Sequence, residues 1–267
     1  MKRNRLLALL EGAAMIALAT VLSLVKVIDM PFGGSVTACA MLPIILVAYR
    51  RGVKWGLLTA TVYAVLQMLL GFSNLQYATS FAALIAIILL DYIVAFGVLG
   101  LGGLFRNKMS SQTNELLIAT VLCCVLRYIC HFISGCTVWA GVSIPELGGM
   151  IYSATYNAAY MLPETIVTLA GAWYLTHILN FKGDKITANK DKQPTIVTVL
   201  EGVGILALVV GIVSDALYLF GHLQTEDGFD WSALSTMNPI VLLAVTGVAV
   251  LVWGILYLVA KQIKSKV

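Results

Sequence analysis

Long apolar stretches alternate along the chain with short polar ones. Eight segments, 6–28, 36–50, 53–71, 79–104, 115–136, 150–180, 195–221 and 238–260, are dominated by Leu, Ile, Val, Ala and Met. Most reach the roughly 20 residues with which a helix crosses about 30 Å of hydrocarbon. They predict membrane-spanning helices and an all-α fold, a polytopic helical bundle. The second segment is short and amphipathic at its start, which predicts a tilted or partial span.

Residues Asn180 to Pro194 form the only long charged, weakly apolar stretch, and they separate six segments from a final pair. That division predicts a six-helix core over 1–181, a linker over 182–194 and a C-terminal transmembrane hairpin over 195–267. Between the last two segments, Gly221 to Ser235 carries Glu226, Asp227 and Asp230 but no Lys or Arg. No internal repeat is visible, which disfavours an inverted-repeat transporter.

Composition strengthens the membrane reading. Hydrophobic residues make up 60% and charged ones only 11%, against about 25% charged in soluble domains. The basic residues then orient the bundle. Lys2, Arg3 and Arg5; Arg50, Arg51 and Lys54; Arg106 and Lys108; Lys182, Lys185, Lys190 and Lys192; and Lys261, Lys264 and Lys266 all fall in segments on one side if the N-terminus is cytoplasmic. Loops rich in Lys and Arg stay inside, so both termini are expected in the cytoplasm of a multi-pass cell-membrane protein. The net charge of +4 reads as anchoring to anionic lipid headgroups and not as a nucleic-acid surface. The N-terminal apolar run is too long for a signal peptide, and Lys26 and Asp29 part it from Val36-Thr37-Ala38-Cys39, so it is read as a retained span. The five cysteines, Cys39, Cys123, Cys124, Cys130 and Cys136, have no CxxC spacing and read as small core residues.

An ionisable group within a span costs roughly 2.5–3.5 kcal/mol, so each is a candidate for function with a partner. Asp91 lies deep in the fourth segment, and Arg127 and His131 lie four apart, on one face, in the fifth. Gly135 continues that row and Trp139 lies just beyond it; the sixth segment adds Tyr152, Tyr156, Asn157 and Tyr160. Each has a purely structural reading: Asp91 and Arg127 as a buried ion pair, Tyr and Trp as an interfacial belt, His131 as a hydrogen-bonded core residue. Their convergence on three helices favours a site for a small, flat organic cation, held by a carboxylate and aromatic faces.

Nothing points to catalysis. There is no G-x-x-x-x-G-K-[ST], HExxH or GxSxG, and the three histidines, 131, 177 and 222, cannot gather around a metal in this topology. The chain is expected to be no enzyme and to need no cofactor or metal. Active transport would then require an ion gradient or a separate ATPase. Ala13 and Ala17 have the small-xxx-small spacing that admits a partner helix.

Several segments together carry a family resemblance. Met41-Leu42-Pro43-Ile44 with Arg50-Arg51-Gly52, Leu90-Asp91-Tyr92-Ile93-Val94-Ala95-Phe96, Leu126-Arg127-Tyr128 with His131-Phe132-Ile133-Ser134-Gly135, and Tyr152-Ser153-Ala154-Thr155-Tyr156-Asn157 resemble the thiamine-specific substrate-binding (S) component of energy-coupling factor transporters. The resemblance runs through residues 5–180. It implies a six-helix membrane protein that captures thiamine at an outward-facing site and works with a transmembrane coupling protein and two ATP-binding-cassette ATPases. It further implies thiamine contacts at Asp91, Tyr92, Arg127, His131, Gly135, Trp139, Tyr152 and Asn157, a looser one at Tyr77, a coupling-protein surface at Ala13 and Ala17, and transport by tilting of the subunit. Two features depart from the family: the first outside loop, Met30 to Ser35, lacks the tryptophan some members use as a lid and offers Phe32 instead, and residues 193–267 have no counterpart. The competing reading is a self-sufficient ion-coupled secondary transporter of an organic cation or another vitamin, with Asp91, Arg127, Glu201 and Asp215 as a proton route.

Overall fold

The computed structural model describes residues 2–30, 33–139, 147–183, 185–189, 195–225 and 228–265. Eight helices follow the eight apolar segments: α1 (Lys2–Leu24), α2 (Leu42–Arg51), α3 (Val53–Leu70), α4 (Phe81–Phe105), α5 (Gln112–Ser134), α6 (Leu147–Ile178), α7 (Thr195–Leu223) and α8 (Pro239–Lys264). A two-stranded antiparallel hairpin, β1 (Lys26–Asp29) and β2 (Ser35–Thr37), joins α1 to α2. Among the described residues, six helices are long and apolar enough to cross a membrane: α1, α3, α4, α5, α7 and α8. Helix α6 has 32 residues but is more polar, because Tyr152, Ser153, Asn157, Tyr160 and Glu164 are carried on its inward face.

The second segment departs from a simple span. Its first residues form β2, Cys39 takes φ 63°, and only then does Pro43, in the first turn, start a helix of 10 residues. At 1.5 Å per residue α2 covers about 15 Å, half the hydrocarbon layer. Residues 42–50 are all buried nonetheless, so α2 is a core element wrapped by its longer neighbours.

Two kinds of contact hold this part together. The first is close packing at small residues: a Cβ on Gly56 would lie 2.5 Å from Ala48 Cβ and 2.6 Å from Gly100 O, so α2, α3 and α4 meet almost backbone to backbone. The second is a pair of carboxylates around the last turn of α2, one half-buried and one fully buried. Glu11 of α1 accepts from Arg50 Nε and, at 2.6 Å, from Arg51 Nε. Glu115 of α5, 0% exposed, accepts from Tyr49 Oη (2.5 Å) and from the Met109 N–H (2.7 Å).

Two helices leave regular α geometry. Within α4, Ile88–Val94 is a π-turn and Val98–Phe105 is 3₁₀; after α5, Gly135–Trp139 is a second π-turn. Such turns are rare and recur at functional sites.

The chain divides into two compact units, Met1–Trp173 and Tyr174–Val267. The second contains the end of α6, a short ribbon of β3 (Leu179–Asn180) and β4 (Thr187–Ala188), and the α7–α8 hairpin with a further ribbon, β5 (Gln224–Thr225) and β6 (Gly228–Phe229). Helices α7 and α8 pack through small residues, with a Gly211 Cβ 2.5 Å from Ala249 Cβ. Lys264 Nζ pairs with Glu201 Oε1 (2.6 Å), and Thr246 Oγ1 donates to Asp215 Oδ2.

Candidate functional site

A cavity of about 670 Å³ lies inside the first unit, lined by the end of α1, the β1–β2 hairpin, α3, α4, α5 and α6. Its chemistry centres on Asp91, which the π-turn of α4 presents inward. Asp91 Oδ1 faces His131 Nδ1 at 2.9 Å, and Asp91 Oδ2 accepts from Ser134 Oγ at 2.6 Å. On the other edge of the imidazole, Arg127 Nε donates to His131 Nε2 at 3.2 Å. A guanidinium has only donors, so Nε2 is the acceptor, the proton sits on Nδ1, and His131 is a neutral ring donating to Asp91. Arg127 also lies over the Phe96 ring, 4.3 Å from its centroid. The histidine therefore bridges the carboxylate and guanidinium of the expected ion pair. The carboxylate and imidazole are 16% and 10% exposed, buried enough to be strong yet open to the cavity.

Helix α6 supplies the adjoining wall. Tyr152, Tyr156 and Tyr160 recur every four residues and form a ladder, with ring centroids 5.9 Å and 5.8 Å apart, and the Tyr160 ring meets His131 edge-on at 6.1 Å. Asn157 locks the ladder to α5. Its Nδ2 donates to Ser153 O (2.8 Å) and His131 O (3.3 Å), and its Oδ1 accepts from Tyr160 Oη (2.8 Å). Gly135 belongs to the same joint: a Cβ there would lie 2.3 Å from Ser153 Oγ. Across the cavity, Tyr92 Oη donates to Gly71 O (3.0 Å) and accepts from Asn74 Nδ2 (3.4 Å), which braces the end of α3.

Asp91, Tyr92, Arg127, His131, Gly135, Tyr152 and Asn157, picked out from the sequence, all line this one cavity. The side chain of Trp139 and the whole of Phe32 lie outside the described residues. Tyr77 is not brought to the cavity. It ends a 3₁₀ turn, Phe72–Tyr77, about 6 Å beyond Asn74 at 2 Å per residue; Ser73 and Asn74 line the cavity, whereas Tyr77 is 43% exposed. Ala13 and Ala17 are exposed on α1. Glu201 and Asp215 are engaged within the α7–α8 hairpin as described above.

Among the lining residues that escaped the sequence reading are Tyr63 and Gln67 on α3, Asn74 beyond its end, Thr37 on β2 and Glu164 on α6. Glu164 is 2% exposed, and its two oxygens accept from the Thr37 N–H (2.5 Å) and Thr37 Oγ1 (2.7 Å). The cost of a carboxylate inside a span, which drew attention to Asp91, was signal enough to find it.

Residues 9–181 match the family described as thiamine transporter protein (Thia_YuaJ). Over 175 residues the chain is 39% identical to the thiamine transporter ThiT of Bacillus subtilis (strain 168), an alignment covering 61% of this chain and 87% of that protein. A solved structure of ThiT from Listeria monocytogenes superposes with a TM-score of 0.52 at 24% identity, over 64% of this chain and 94% of that one, and supports the fold. The family match spans most of the first unit and includes every predicted contact around the cavity, so the chain belongs to the thiamine transporter protein family.

Proposed function

We propose that this protein captures thiamine in the cavity of its first unit, as the substrate-binding subunit of an energy-coupling factor transporter, and catalyses no reaction. The observation that carries the reading is the Asp91–His131 pair, held by Ser134, beside a ladder of three tyrosines lining the same cavity. Thiamine is a permanently cationic molecule of two flat rings joined by a methylene. A carboxylate about 4 Å from its charge is worth on the order of 4 kcal/mol at an effective dielectric of 20, and each aromatic face adds roughly 0.5–2 kcal/mol. Asp91, Tyr92, Arg127, His131, Tyr152 and Asn157 are the proposed contacts. Gly135 acts by letting α5 and α6 approach, and Trp139 stands in the same row.

The remaining parts of the reading are consistent with the family. A binding subunit without a phosphate loop cannot hydrolyse ATP itself, which suits separate ATPases reached through a membrane coupling protein. The exposed small-residue row of Ala13 and Ala17 on α1 suits close approach of a partner helix. The distribution of Lys and Arg supports a cell-membrane protein with both termini in the cytoplasm.

Calorimetry on the purified protein tests the proposal. Thiamine is expected to bind with submicromolar affinity, equivalent to more than about 8 kcal/mol, whereas riboflavin is not; absence of saturable thiamine binding refutes it. Running thiamine phosphates and the isolated pyrimidine moiety in the same panel ranks the close analogues. Thiamine uptake into vesicles is expected to depend on added coupling protein and ATPases, and uptake by this chain alone under a pH gradient would refute that part.

A further inference from the structure

The β1–β2 hairpin lines the cavity, and its bonds to the rest of the bundle are concentrated on β2. The exposed pair Lys26 Nζ–Asp29 Oδ1 (2.9 Å) stays within β1. From the tip and β2, three bonds reach α6: the Gly34 N–H donates to Tyr156 Oη (3.1 Å), and Thr37 donates to Glu164 through both its N–H (2.5 Å) and its Oγ1 (2.7 Å). Tyr156, Tyr160 and Glu164 succeed one another every four residues, a row about 12 Å long. Gly34 to Thr37, three steps of about 3.3 Å, run about 10 Å, close to that length. Gly34 seats against the tyrosine end, where a Cβ would lie 2.8 Å from Tyr156 Oη and Tyr160 Cδ1. Just past the glutamate end, Cys39 Sγ donates to Val167 O at 3.1 Å.

Two donors from one residue converge on two oxygens of one buried side chain. A carboxylate accepts both donors at once; an amide in its place keeps one acceptor for the Thr37 N–H and must reverse the bond to the Thr37 hydroxyl, which already receives the Ala40 N–H at 3.4 Å. We propose that Glu164 is a positioning residue whose carboxylate sets the register of β2 on α6, and so governs how long the hairpin keeps a ligand in the cavity. The ligand part of this inference rests on the thiamine reading above; the register part does not.

Three single variants of the full-length protein in nanodiscs separate this role from direct ligand contact: Glu164→Gln, Thr37→Val and Thr37→Ser. The first readout is amide hydrogen exchange over residues 33–38 without ligand, and the second is the thiamine dissociation rate by stopped flow. Glu164→Gln and Thr37→Val are each expected to speed exchange and dissociation by about ten- to a hundredfold, the range for lost hydrogen bonds to a charged group, with association changed by less than about threefold. Thr37→Ser, which keeps the hydroxyl, is expected to behave as wild type, and the double variant Thr37→Val with Glu164→Gln no worse than Glu164→Gln alone. Exchange that is unchanged in Glu164→Gln and Thr37→Val overturns the proposal. So does lost binding in Glu164→Gln beside a normal Thr37→Val, which would make Glu164 a ligand contact. If Glu164→Gln does not fold, Thr37→Val against Thr37→Ser decides. A wild type that fails to bind thiamine refutes the thiamine reading, and the exchange data still decide the register.

Discussion

Asp91 receives two donors at once, His131 Nδ1–H and Ser134 O–H, and this arrangement is specific to a carboxylate. Asparagine carries no charge and has one acceptor, so it keeps the bond from His131 Nδ1–H only by reversing the one to the Ser134 hydroxyl. Asp91→Asn is therefore expected to weaken thiamine binding at least about tenfold while circular dichroism stays as in wild type; unchanged affinity by calorimetry would remove Asp91 from the site. Gly135 is a packing position. Ser153 Oγ, which a new Cβ would strike, is already tied to Phe132 O (2.8 Å) and Asn157 (3.2 Å). Gly135→Ala is expected to cost about 1–3 kcal/mol of stability, as overpacking does, and to weaken binding in parallel; a thermal unfolding midpoint equal to wild type would contradict this. At this scale the sequence was informative where chemistry stood out against an apolar background, as with Asp91 and His131. It was read too narrowly for Glu11, Glu115 and Glu164, which stand out on the same criterion but whose partners, Arg50, Tyr49 and Thr37, come from distant segments.

Among the elements, helix number and position were legible because the length of an apolar run and the thickness of a bilayer are the same measurement. The β1–β2 hairpin was not, since strands of four and three residues carry too little alternation to be read. Nor were the π-turns, which follow from how α4 and α5 meet their neighbours and leave no mark on composition. The start of the second segment shows the physical limit most clearly. Cys39 at φ 63° sits in a left-handed region that costs a non-glycine residue roughly 1–2 kcal/mol, and it turns the chain from β2 into α2. Cys39→Gly is expected to hold or raise the thermal unfolding midpoint. Cys39→Val, with a branched Cβ in the same conformation, should lower it by more than the loss of the Sγ–Val167 bond alone; equal midpoints for Val and Gly would rule out strain at this turn.

For the whole molecule, the division into Met1–Trp173 and Tyr174–Val267 puts every residue lining the cavity in the first unit, and the family match ends at residue 181. Removing residues 190–267 is accordingly expected to leave thiamine affinity within about twofold of the full chain, measured by the same calorimetry; a larger loss would tie the α7–α8 hairpin to binding. The charge on the cavity has a consequence of its own. With the two lining carboxylates outside the Lys26–Asp29 pair, Asp91 and Glu164, counted as ionised, the cavity holds two negative side chains. Against them stands Arg127, with His131 neutral. The lining thus carries one formal negative charge, and a monovalent cation brings it to zero. A charge carried through the full membrane potential is worth about 2.3 kcal/mol per 100 mV. A subunit that reorients with its cargo would move a voltage-indifferent package, and only its ligand-free return would feel the field.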